Sequence, residues 1–228
     1  MNRFRWLHSE WPVSMRVLAR RIKAKPFDDR SAHGFVLDRA RDDYLEARYI
    51  ERIEYTDTIV DPFGNELSFP RVEFRQSSFR AMAINPGLEL RNPPRSTQAL
   101  LNRLSEAVDF EVAINQIDVN VMDWATRFQH AAQAVTVVDS MQVNALELEP
   151  GVVAKAIIKG DKDTRSACAT LTNGHRHTLE KVQLRLAERH EGTVVLTNSG
   201  SATLNANDPT EILETALRVS LNQAAGYI

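Results

Sequence analysis

The chain has a single cysteine, Cys168, among 228 residues. No intrachain disulfide can form, and any zinc site needing two thiolates from this chain is excluded. Such sparing use of cysteine fits a reducing compartment, and a cytoplasmic location is the expectation. Long apolar runs are missing as well. The longest, around Val152–Ile158, is broken by Lys155 and falls far short of the ~20 residues a membrane helix needs. Met1–Arg5 is basic but leads into no uninterrupted apolar segment, so neither a secretory signal nor a membrane association is expected.

Chemical signatures are equally scarce. No serine lies in a Gly-x-Ser-x-Gly elbow, and Asn198-Ser199-Gly200-Ser201 reads as a hairpin turn. Lys159-Gly160-Asp161-Lys162-Asp163-Thr164-Arg165 sits between a predicted strand and helix, where backbone amides favour phosphate. It has one glycine, however, and two aspartates that would repel an anion, so a turn and helix cap explain it better. Cys168, flanked by Ala167 and Ala169, reads as a small core residue. No motif calls for a cofactor.

What the chain does have is polarised charge. Residues 1–26 hold seven cations (Arg3, Arg5, Arg16, Arg20, Arg21, Lys23 and Lys25) against Glu10, a net of +6. The remaining 202 residues hold 21 cations and 29 acids, a net of −8. Phe4, Trp6 and Trp11 are interleaved with the cations. A basic, aromatic-bearing arm on an acidic body points to an anionic partner: a nucleic acid, a membrane surface or an acidic protein face. Within the arm, Ser9 as cap, Pro12 in the first turn and Val13, Val17, Leu18 and Ile22 at helical spacing predict a helix that ends before Pro26. Arg16, Arg20 and Lys23 then share one flank of it.

Beyond the arm the pattern is mainly β. Ile53 and Tyr55 alternate with polar residues, Ile59 and Val60 run into Asp61-Pro62-Phe63-Gly64-Asn65, and Leu67 and Phe69 resume the alternation. Val72 and Phe74 continue in the opposite phase, and that slip beside Pro70 predicts a bulge or an edge strand. Helices are predicted from Thr97 to about Val108, capped by Ser96, and from Trp124 to Ala134, with a strand across Val112–Val121 between them. Strands at Val135–Leu148, Val152–Ile158, Leu179–Leu186, Thr193–Leu196 and Ala202–Leu204 follow, with a short helix near Thr164–Leu171. Asp208-Pro209-Thr210-Glu211 opens a last helix running to about Gln223. The expected fold is α+β, mostly antiparallel sheet with helices packed on one face. The expected division is an arm or helix at 1–26 and α+β modules at 27–130 and 131–228. These could be two similar βα modules or one continuous domain.

Two clusters could hide chemistry. Asp57, Asp61 and Glu73 on the central hairpin could form a metal-dependent hydrolase or nuclease centre, but the adjacent Arg75 is a poor stand-in for a catalytic lysine. His175 and His177 share a face if the segment is extended, and could hold a metal; exposed turn residues are the plainer reading. Without a coherent catalytic cluster the balance favours a non-catalytic binding or assembly subunit. It would dock on a protein partner or a second copy through Arg3, Arg5, Trp6, Trp11, Arg16, Arg20, Arg21, Lys23 and Lys25. The alternative is a nucleic-acid-binding protein that uses the same arm, and the second alternative is the hydrolase.

Overall fold

The computed structural model describes residues 1–187, 191–207 and 210–227. In chain order the elements begin with β1 (Asn2–Ser9), α1 (Met15–Lys23), β2 (His33–Ala40), β3 (Tyr44–Val60), β4 (Glu66–Met82) and β5 (Gly87–Arg91). Then come α2 (Gln98–Ala107), β6 (Ile114–Gln116), α3 (Val121–Ala132), β7 (Thr136–Glu149) and β8 (Val152–Lys159). The chain ends with α4 (Arg165–Thr172), β9 (Thr178–Leu186), β10 (Gly192–Thr197), β11 (Ser201–Ala206) and α5 (Thr210–Ala224). The fold is α+β with the sheet dominant. The expected start of the last helix, Asp208 as cap and Pro209 in the first turn, lies outside the described residues.

Two compact units divide the chain, one made of Met1–His8 with Asn115–Ile228 and the other of Ser9–Ile114. The division falls at 114/115 rather than near 130, and it splits the 1–26 segment. Residues 1–8 belong to the unit built mainly from the C-terminal half, whereas α1 belongs to the other. The reason is hydrogen bonding over long range: β1 pairs antiparallel with β11, Asn2 opposite Leu204 and Arg5 opposite Ser201.

In the first unit the strands run in the order β1-β11-β10-β9-β7-β8, all antiparallel. Its core gathers Phe4 and Trp6 from β1, Trp124 and Phe128 from α3, and apolar residues of β7, β9, β10 and α5. α3 packs against α5 and contacts β9 and β10. It begins at Val121, earlier than Trp124, because the Asn120 side chain accepts from the amides of Met122 and Asp123. That cap also shortens the strand expected across Val112–Val121 to β6.

In the second unit β2, β3, β4 and β5 pair in sequence order as an antiparallel meander. α1 packs on β2, β3 and α2. Its cap is Ser14, whose hydroxyl accepts from the Val17 amide at 3.4 Å, not Ser9. Met15, Leu18, Ala19 and Ile22 form the buried stripe, at spacings of three and four. Ser9 ends β1, and its amide donates to the Pro86 carbonyl at 2.9 Å. α2 starts after Thr97 rather than Ser96, without a side-chain cap.

Candidate protein interface

β3 and β4 are each 17 residues long, far beyond the strands beside them. β2 covers β3 only as far as Glu51, and β5 covers β4 only over Ser78–Ala81. From Arg52 to Phe74 the two strands form a ribbon with no third strand on either side among the described residues. Nine residue pairs at ~3.4 Å make it about 30 Å long. At its tip Asp61 holds the turn, its carboxylate accepting from the amides of Phe63 and Asn65 and from the Asn65 side chain at 2.8–2.9 Å. Those bonds, the Asn65 side chain first, pull the Asp61 carboxyl below its usual range. Gly64 takes φ +86° there, and Phe63 is 90% exposed.

The register is unbroken along the whole ribbon, including Thr56 opposite Pro70. The slip seen in the sequence is therefore no bulge. Pro70 sits where β4 is an edge, so its missing N–H costs no ladder bond. Opposite residues share a face, which sorts the ribbon into two sides. One side carries the pairs Glu51/Arg75, Ile53/Glu73, Tyr55/Arg71, Asp57/Phe69 and Ile59/Leu67. It continues the side on which Leu45, Ala47, Tyr49, Phe79 and Ala81 are buried in the unit's core. Along the ribbon this side is bare, with Tyr55, Ile59, Leu67 and Phe69 all 43–50% exposed. The other side carries the Thr58 and Ser68 hydroxyls 3.3 Å apart, and exposed Val60, Val72 and Phe74, the last edge-on to Phe27.

The hairpin carboxylates do not converge. Asp57 pairs diagonally with Arg71 at 3.6 Å, Glu73 with Arg75 at 3.2 Å, and Asp61 is spent on the turn. Asp57 lies opposite Phe69, four residues from Glu73 along β4, or roughly 13 Å. Among the described residues no three His, Cys, Asp or Glu side chains gather to hold a metal ion. His175 Nδ1 is 2.8 Å from the Glu147 carbonyl and His177 Nδ1 is 3.1 Å from the His175 carbonyl. Each imidazole thus turns one nitrogen to backbone and keeps the other for solvent.

No protein-family model matches this chain, and no curated protein matches it in sequence.

The residues of the 1–26 segment are dispersed through both units. Trp6 is fully buried, stacked on Phe4 at 5.5 Å between ring centroids. Trp11 is half-buried, and its indole N–H donates to the Gly87 carbonyl at 3.0 Å. Arg3 and Arg5 alternate with Phe4 and Trp6 along β1. Arg16 grips Asp42 with two bonds, Arg21 reaches Asp109 at 2.7 Å, and Lys25 reaches Glu106 at 2.6 Å. Lys25, joined by Arg103, holds the Glu106 carboxyl down at about 2. Only Arg20 and Lys23 of α1 stand exposed with no ion pair among the described residues.

The apolar face of the ribbon was missed as a site in the sequence. The signal that could have found it is the phase slip itself. A half-buried strand must keep its alternation, whereas a ribbon wet on both sides need not. A pocket of about 530 Å³ opens beside the ribbon's root, lined by His33, Tyr49, Glu51, Asn102, Arg103 and Phe110. Burial raises the Tyr49 hydroxyl there.

Proposed function

We propose that the chain is a non-catalytic binding or assembly subunit that docks on protein through the Tyr55-Ile59-Leu67-Phe69 face of the β3–β4 ribbon. The observation that carries this reading is the ribbon's exposure. A two-stranded hairpin is marginal in water by itself, and an apolar face that continues a core face loses free energy to solvent until something covers it. The separate engagement of Asp57, Asp61 and Glu73 lends a hydrolytic reading no support. Nucleic-acid contact through residues 1–26 has less support than docking, since Trp6 is buried and three of the cations are ion-paired.

The test is affinity purification with the wild type, Ile59→Asp and, on the opposite face, Thr58→Asp. Docking predicts partners that are lost in Ile59→Asp and kept in Thr58→Asp. An identical set of proteins with all three overturns it.

A further inference from the structure

Phe110 takes a conformation that the end of its helix does not require. After α2 the chain turns through Asp109 in the left-handed region at φ +56°, and the Phe110 amide donates back to the Ser105 carbonyl at 2.8 Å, an ordinary C-terminal wrap. One left-handed residue suffices for that wrap. Phe110 is a second, at φ +63°, where a bulky side chain is strained. Arg21 pins the segment, donating to the Ala107 carbonyl at 3.2 Å and to the Asp109 carboxylate at 2.7 Å. The outcome is a ring 72% exposed, held at the wall of the 530 Å³ pocket beside the ribbon's root. That volume suits a small ligand or a single side chain, since such sites run to ~300–1,000 Å³.

The lining selects the chemistry. His33 and Glu51 are cross-strand neighbours on β2 and β3, and the His33 ring lies 6.2 Å from that of Tyr49. With Phe110, aromatic rings come from three directions. Two carboxylates line the pocket as well. Glu106 is neutralised by Lys25 at 2.6 Å and Arg103 at 2.7 Å, and Arg103 is spent between Glu106 and the Tyr49 hydroxyl. Glu51 is different. Arg75, opposite it on β4, turns to Glu73 at 3.2 Å, so Glu51 has no ion pair among the described residues. Burial and then the Glu51 charge keep the Tyr49 hydroxyl protonated. A carboxylate without a counter-ion, set among aromatic faces, is the complement of an ammonium group. An anionic ligand would meet Glu51 and be repelled.

We propose that this pocket binds a cationic amine carried on an apolar stem, with Glu51 as its counter-ion and Phe110 as the wall against which the stem packs. Two sources present that chemistry, a free arylalkylamine and a lysine side chain of another protein, and the test separates them. The site lies within the second unit and does not depend on what covers the bare face of the ribbon.

The experiment follows amide NMR shifts of the full chain during titration with phenethylamine, with Nα-acetyl-lysine methylamide, and with 3-phenylpropionate, which keeps the ring and reverses the charge. At least one of the amines should saturate in the millimolar range or below, shifting the amides of Glu51 and Phe110. Saturation by phenethylamine alone names a free amine as the ligand, and saturation by the capped lysine alone names a protein side chain. Affinity should fall roughly tenfold in Glu51→Gln and in Phe110→Ala, and stay unchanged in Asp57→Asn, a carboxylate farther along the ribbon. Circular dichroism should show all three variants folded. Equal binding of 3-phenylpropionate, undiminished affinity in Glu51→Gln, or saturation by neither amine overturns the proposal.

Discussion

Trp6 and Trp124 meet edge to face in the core of the first unit, their ring centroids 5.9 Å apart and their planes at 81°. Both rings are fully buried, and the Trp124 N–H donates to the Ser220 hydroxyl at 3.1 Å. A residue near the start of the chain is thereby fixed against α3 and α5, more than a hundred positions later. Replacing Trp6 with alanine should cost about 3–5 kcal/mol in urea unfolding of the first unit. Trp11→Phe, which removes the hydrogen bond to Gly87 and trims a half-buried ring, should cost about 1 kcal/mol. Equal, small effects for both would mean that Trp6 is not a core residue.

Acid should loosen the second unit in a way that depends on Glu106. Its carboxyl ionises at about 2 in the folded chain, against 4.5 for an unperturbed glutamate. Stability from this group is therefore fully present above pH 4.5 and is lost as pH falls toward 2. In Glu106→Gln that part of the decline should vanish, seen as a flatter dependence of the urea midpoint between pH 5 and about 2. An undiminished slope would remove Glu106 from the account.

Two glycines with similar backbone angles should respond differently to alanine. At Gly64, φ +86°, an added Cβ meets nothing within 4 Å, whereas at Gly87, φ +94°, it would lie 2.0 Å from the Ser9 carbonyl oxygen. Gly64→Ala should cost about 1–2 kcal/mol of backbone strain alone. Gly87→Ala must also displace β1 or the turn, and its loss in urea unfolding should be clearly larger.

Asn120→Ala removes the side chain that closes the first turn of α3 and should cost about 1 kcal/mol. Asn120→Asp, which keeps an acceptor at the same place, should recover most of that loss in the same measurement.

Cys168 should be inert to a thiol reagent in the native state. Burial raises its thiol above the ordinary value, which starves the reactive thiolate, and the side chain is out of solvent. Labelling should appear only with denaturant, at the rate of unfolding; prompt reaction in buffer would place the thiol at the surface.

The sequence by itself determined much of the local structure. Alternation and the Asp61–Asn65 turn gave the β3–β4 hairpin, helical spacing gave α1, and the Leu179–Leu186 and 193–204 strands followed from the same period-two pattern. It also carried the clues to its own exceptions, since Asn120 was available as a cap and Pro70 as an edge residue. These are effects of neighbours within a few positions, which is why they can be read along the chain.

Which surface faces solvent was decided only in three dimensions. Phe4 and Trp6 looked exposed among cations, but β11 pairs with β1 and α3 closes over their rings, so the aromatics become core. Arg21 and Lys25 looked available to an anion, yet Asp109 and Glu106, more than eighty residues on, neutralise them. Ile59, Leu67 and Phe69 alternate like any strand residues, and only the fold decides that they stay 43–50% exposed. Burial and ion pairing are properties of partners brought together by folding, and no short-range pattern contains them.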